Sequence, residues 1–236
     1  MRLTLDKSKV LASILCLSAL VGVCHSQEND ASAASGQAVH VAEIRKAAER
    51  GSADAQTALG TMYLQGEGVA KDEQQAVAWF VKAAAQGDIV AQFALGRAYE
   101  NGRGVVKDEQ HAAEWYRAAA EQDDVDAQFS LAAMYADGRG VAKDDAQAAV
   151  WYRAAAEQGN VDAQIILGGW YLKGRGVAKD ERQAIAWLTK AAEQGRAQAQ
   201  QALGEIYEKG LGVPKDAVQA QAWYEKAQQG RPTPSK

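Results

Sequence analysis

Tryptophan recurs every 36 residues, at Trp79, Trp115, Trp151, Trp187 and Trp223. Tyrosine keeps the same interval at Tyr63, Tyr99, Tyr135, Tyr171 and Tyr207, as do Lys-Asp pairs from Lys71/Asp72 to Lys215/Asp216. A period of this length marks one supersecondary unit used repeatedly. One unit cannot bury its apolar face alone, so neighbours must stack into a continuous core. This constrains the fold more tightly than the length of 236 residues does.

The second copy, residues 87–122, shows the unit. Asp88 and its counterparts Ser52, Asp124 and Asn160 carry side-chain oxygens suited to accept from the free amides of a helix start. Arg196 holds that place in the fifth copy and offers no acceptor, so its helix is predicted to fray. Ala91, Leu95 and Tyr99 then follow at helical spacing and define a helix A that stops near Gly102. After a loop with Gly102 and Gly104, Asp108 caps a helix B carrying Ala112, Trp115, Tyr116 and Ala119. Gln75, Gln147, Gln183 and Gln219 stand three residues after the cap aspartates, a capping-box pattern in which His111 replaces glutamine once.

Gly87, Gly159 and Gly195 end helix B where a left-handed residue is wanted, and Asp123 takes that place once. Gly60, Gly96, Gly168 and Gly204 lie within helix A, where glycine costs about 1 kcal/mol against alanine. Close approach of helix B compensates, with the tryptophans as the expected partner surface.

These residues, most fully Ala91, Leu95, Gly96, Tyr99, Gly102, Gly104, Val105, Asp108, Ala112, Trp115, Tyr116 and Ala119, resemble the Sel1-like repeat, a relative of the tetratricopeptide repeat. The resemblance covers residues 51–230 as copies 51–86, 87–122, 123–158, 159–194 and 195–230. It implies an all-α fold, a right-handed α/α superhelical solenoid of five helix-turn-helix repeats used for protein contacts. Disulfide-stapled bacterial relatives exist, and this chain departs from them. Residues 39–50 align with a helix B and read as an N-terminal capping helix, with Glu43 in the tryptophan position. Residues 231–236 read as a disordered tail.

Residues 1–26 lie outside the period. Arg2, Lys7 and Lys9 precede an apolar run from Val10 to Val23, too short to span a bilayer and right for a secretory signal cut after Ser26. Val23 before Cys24 argues against lipoprotein processing. Residues 27–38, rich in Ala and Ser, read as a flexible spacer. Both cysteines, Cys16 and Cys24, fall in the signal, so the expected mature chain has no thiol chemistry. Cleavage removes three of 26 basic and one of 30 acidic residues, leaving a net charge of −6, a poor balance for gripping nucleic acid. The reading is a protein secreted across the inner membrane into the bacterial periplasm, monomeric and not inserted in the membrane.

The glycine loops match no phosphate-binding pattern and read as connectors. Only His40 and His111 remain after cleavage, and the Asp123-Asp124-Asp126 cluster reads as helix-start charge. No catalytic, cofactor or metal residue is assigned, and the chain is read as a non-enzyme. Positions that vary between copies carry recognition, because the shared ones build the scaffold. On helix A these are Thr61, Arg97, Ala133, Gly169 and Glu205; Leu64, Glu100, Ala136, Leu172 and Glu208; and Phe93, Phe129 and Ile165 beside Thr57 and Gln201.

Arg103, Arg139 and Arg175 form a loop column suited to an acidic partner or simply solvated. Trp170, off the period, is a partner anchor or a replacement for a core methionine. The expected partner-binding set is Arg97, Glu100, Arg103, Ala133, Arg139, Trp170, Leu172 and Arg175. The leading function is an interaction scaffold, adaptor or regulator. The alternatives are an immunity protein against a secreted toxin such as a phospholipase and, from another class, a cell-wall or β-lactam hydrolase.

Overall fold

The computed structural model describes residues 28–229, in which eleven helices and no strand are found. Helix α1 is Glu28–Glu49. The A helices are α2 (Ala53–Gln65), α4 (Ile89–Asn101), α6 (Val125–Asp137), α8 (Val161–Lys173) and α10 (Ala197–Lys209). The B helices are α3 (Glu73–Ala84), α5 (Glu109–Ala120), α7 (Asp145–Glu157), α9 (Glu181–Glu193) and α11 (Ala217–Gln229). Within residues 43–229, each A helix packs on its own B helix and, from α4 onward, on the B helix before it, an α/α solenoid. The stretch read as a spacer is helical from Glu28, a correction explained by Ala31, Ala33, Ala34 and Ala38, which favour helix strongly enough to outweigh Gly36. The expected signal and tail lie outside the described residues.

Local chemistry sets the helix starts. Ser52, Asp88, Asp124 and Asn160 each accept from the amide three residues on, at 3.4, 2.7, 2.8 and 2.9 Å. Arg196 makes no such bond and instead donates to Asp162 of the preceding A helix at 3.1 Å. At the B helices one aspartate oxygen accepts two amides, as Asp72 does from Gln74 and Gln75 at 3.0 Å. The capping-box reading needs correction, because the cap N–H is taken. Asp72, Asp108, Asp144, Asp180 and Asp216 donate to the carbonyls of Tyr63, Tyr99, Tyr135, Tyr171 and Tyr207 at 2.9–3.0 Å. A glutamine side chain has no amide left to accept, and the tie instead fastens the start of B to the last turn of A. Asp123 is the one non-glycine with positive φ (65°) among the described residues, at the turn where the other copies carry glycine.

Close approach of the two helices is confirmed, with a different partner. A methyl on Gly60, Gly96, Gly168 or Gly204 would run into Phe80, Tyr116, Leu188 or Tyr224, the residue after each tryptophan. Helix rotation decides this: Phe80, Tyr116 and Leu188 are buried, whereas Trp79, Trp115, Trp151 and Trp223 are only half-buried beside the loop. Between repeats, α3 meets α4 through Val77, Phe80 and Ala84 against Ala91, Leu95 and Ala98, and later junctions repeat the pattern. The second loop glycine seals each junction. A methyl on Gly104, Gly140 or Gly176 would overlap the carbonyl of Glu73, Glu109 or Asp145 in the first turn of the previous B helix.

A polar ladder runs through this apolar stack. Gln56, Gln92, Gln128, Gln164 and Gln200 are buried, and each amide donates to the carbonyl eight residues back, near the end of the preceding helix. The first four also accept from Gln86, Gln122, Gln158 and Gln194 at 2.8–3.0 Å. Both functions of each amide are then satisfied, the condition for burying it cheaply. Gln200 Oε1 has no partner among the described residues, and position 230, where the next donor would stand, is glycine. At α11, seam positions held by Val77, Ala113, Ala149 and Ile185, and by Ala84, Ala120, Ala156 and Ala192, become Gln221 and Gln228. That is the polar outer face of a terminal repeat.

Candidate partner-binding surface

Several residues expected to face a partner are committed to the scaffold. Glu100 accepts from Tyr116 Oη and from Arg139 Nη1 of the next repeat, both at 2.7 Å. Burial disfavours its charge, but the Arg139 and Tyr116 hydrogen bonds outweigh that and hold its pKa below the ordinary value. Arg175 donates to Asp145 at 2.7 Å and to the Ala136 carbonyl at 3.2 Å, with its guanidinium 4.4 Å from the Trp170 ring centre. Trp170 is buried, edge-on to Tyr152 with centroids 5.4 Å apart, and is core rather than an exposed anchor.

The arginine column is therefore not a ridge of three free cations. Arg139 and Arg175 reach back to the preceding repeat and pair with an acceptor there. Glu100 waits for Arg139 and Asp145 for Arg175, while Leu64 stands where Glu100 would be for Arg103. Arg103 is exposed and makes no ion pair among the described residues. Leu172 is half-buried between the third and fourth junctions.

Apart from Arg103, the accessible part of the expected set lies on the A helices of the middle repeats. Phe93, Phe129 and Ile165 are half-buried in successive copies. Phe93 is held by Tyr116 at 5.6 Å and Phe129 by Tyr152 at 5.5 Å between ring centroids. One turn further on stand Arg97, exposed with its guanidinium 6.0 Å from the Phe93 ring, then half-buried Ala133, and Gly169 with open space at its Cβ position. The row is apolar with little bulk beside it, and Thr57 and Gln201 bound it.

A second feature escaped the sequence reading. Arg45, Arg117 and Arg153 donate to the hydroxyls of Tyr63, Tyr135 and Tyr171 at 3.2, 2.7 and 2.8 Å. The signal was present, since these arginines sit at multiples of the period, with Val81 and Thr189 in the other two copies. In the second copy His111 stacks on Tyr99 at 5.2 Å and lies 2.7 Å from Asp108, which raises the histidine pKa and lowers that of the aspartate. Among the described residues no group of His, Cys, Asp and Glu could hold a metal, and no helix is long and apolar enough to cross a membrane.

The Sel1 repeat family model matches five times, at residues 53–88, 89–124, 125–160, 161–195 and 197–227. The chain belongs to the Sel1-repeat family. Repeats of this kind mediate contacts between proteins. A Sel1 repeat protein from Oxalobacter formigenes is 35% identical over 83% of this chain and 86% of its own, with a TM-score of 0.74. A protective antigen of uropathogenic Escherichia coli strains, displaying the same repeat fold, is 41% identical over 81% of this chain, with a TM-score of 0.79. This chain spans 41% of that antigen's length. An immunity protein from Pseudomonas aeruginosa is more distant, at 26% identity over 75% of this chain and 66% of its own, with a TM-score of 0.42. No curated protein matches the chain.

Proposed function

We propose that the Sel1 repeats of this chain form an exported protein-binding scaffold that holds its partner on the A helices of repeats two to four. One observation carries the reading: the Phe93, Phe129 and Ile165 row stays half-exposed while neighbouring variable positions are used up in holding repeats together. Aromatic and aliphatic anchors with an arginine at the edge are the side chains on which interfaces concentrate their energy. Arg97 supplies the free cation, and Ala133 and Gly169 leave room for a partner's side chains. The reading assigns no catalysis, since His111 is engaged by Asp108 and Tyr99 and no nucleophile–base pair stands out. Residues 1–26 are proposed to direct export to the periplasm, which the N-terminus of the secreted protein, starting at Gln27, would establish.

The test is capture of partners from the periplasm with the mature chain and three variants. Phe129→Asp and Arg97→Glu should each lose the partner, and Val150→Asp, on an exposed B-helix position, should keep it. Equal capture by all three refutes the A-helix surface. If the captured protein is a secreted enzyme such as a phospholipase, and stoichiometric binding stops its turnover, the scaffold is an inhibitor.

A further inference from the structure

Three of the five periodic tryptophans carry a cation over the ring. Lys82 Nζ lies 3.8 Å from the Trp79 ring centre, Lys190 Nζ 4.3 Å from that of Trp187 and Lys226 Nζ 4.3 Å from that of Trp223. Each lysine follows its tryptophan by three residues in the last turn of a B helix, the end where the helix dipole favours positive charge. The second and third repeats carry Ala118 and Ala154 in that place. Trp115 and Trp151 are half-buried, and among the described residues no cation lies over either ring.

The second repeat adds carboxylates. Glu114 and Glu121 stand four residues before and three after Ala118, so on the helix surface they flank the position from which the missing lysine would start. Both are exposed, and neither makes an ion pair among the described residues. Glu114 has no acidic counterpart, since Ala78, Val150, Ala186 and Ala222 hold its place in the other repeats. The neighbouring basic groups are engaged elsewhere: Arg117 donates to Tyr135 at 2.7 Å, and His111 lies against Asp108 and Tyr99. An aromatic face beside two free carboxylates attracts a cation through the ring quadrupole and through charge together.

We propose that the Trp115 face of α5 docks a lysine side chain of a partner protein, which takes the position that Lys82, Lys190 and Lys226 fill within their own repeats. Those three lysines show that the periodic ring accepts an ammonium group on its face. Glu114 and Glu121 hold the charge of the incoming side chain, and the net charge of −4 favours approach of a basic partner from further away. Trp151, with Val150 in the place of Glu114, is the weaker copy of the site.

The inference goes beyond the A-helix surface and is tested without knowing the partner. The full mature chain, labelled with nitrogen-15, is titrated with a blocked peptide containing two lysines and with its acetyl-lysine analogue, which lacks the charges. The Trp115 indole resonance, assigned by Trp115→Phe, should move saturably with the lysine peptide alone, and the Trp151 indole should move less. Ala118→Lys, which copies three of the other repeats, should suppress the response by covering the ring from within the chain. Glu114→Gln should weaken binding about threefold, the worth of one exposed charge pair. Unchanged amide resonances elsewhere verify that both variants keep the fold. An unmoved Trp115 indole, equal response to both peptides, undiminished binding in Ala118→Lys, or a response to tetramethylammonium with none to the peptide would each overturn the proposal.

Discussion

Two adjacent glycines in α8 should respond to the same substitution with opposite sign. A methyl on Gly168 would lie 2.6 Å from Leu188 Cγ, 2.9 Å from Leu188 Cδ2 and 3.3 Å from the Ala184 carbonyl oxygen. Relaxed carbon contacts are about 3.5–4.0 Å, so the overlap is near 1 Å against the branch point of a buried leucine. Overpacking of that kind costs about 1–3 kcal/mol. Replacing helical glycine by alanine returns up to about 1 kcal/mol, so Gly168→Ala should destabilise by up to about 2 kcal/mol.

Gly169 has nothing within 4 Å of its Cβ position, so Gly169→Ala keeps the gain alone, about 0.4–1 kcal/mol. Because both sites are in one helix, the propensity change cancels in the comparison, and the difference of about 1–3 kcal/mol isolates the packing. Urea and thermal unfolding followed by far-ultraviolet circular dichroism would separate the variants by several degrees, at about 2–4 °C per kcal/mol for a chain this long. Adding Leu188→Ala to Gly168→Ala should remove the penalty of the methyl, and the non-additivity measures the overlap. Equal shifts for the two single variants, or a Gly168→Ala protein more stable than the parent, would refute close helix packing.

The buried amide ladder predicts that Gln128→Leu costs about 1 kcal/mol, because it leaves the Ala120 carbonyl with the Asp123 amide alone and takes the acceptor from the Gln158 amide, while Gln200→Leu costs less because its acceptor is already unpaired. Denaturant midpoints of the two rank them. Glu100→Gln should destabilise by about 1 kcal/mol at neutral pH through loss of the Arg139 pair. The folded Glu100 pKa lies below the ordinary 4.5, so its contribution is complete above 4.5 and fades as pH falls through the folded value. Stability measured through that acid range should therefore fall less steeply in the variant. His111 has the reverse sign: its raised pKa makes its contribution complete below 6.5 and lost as pH rises through the folded value. His111→Gln, copying the other repeats, should abolish that slope, and an unchanged pH profile would show that the Asp108 pair is idle.

Much of this molecule is legible in its sequence, because 36-residue recurrence says which positions share an environment. Cap aspartates, left-handed glycines and the small residues of helix A announced helix ends and close packing through local rules. Which surfaces meet is another matter, decided by how one helix turns against its neighbour. Tyr116 rather than Trp115 faces Gly96, and no count of residues separates two adjacent aromatics on one helix. Gln128 is polar yet buried, because packing brings a helix-end carbonyl and a second amide to it. Arg139 and Arg103 occupy the same place in their repeats, yet Arg139 pairs with Glu100 of the previous repeat, and Leu64 stands in that place before Arg103. Local rules act within a few residues of chain; the fate of a polar side chain depends on partners some 30 to 40 residues away, which only stacking brings within hydrogen-bond reach.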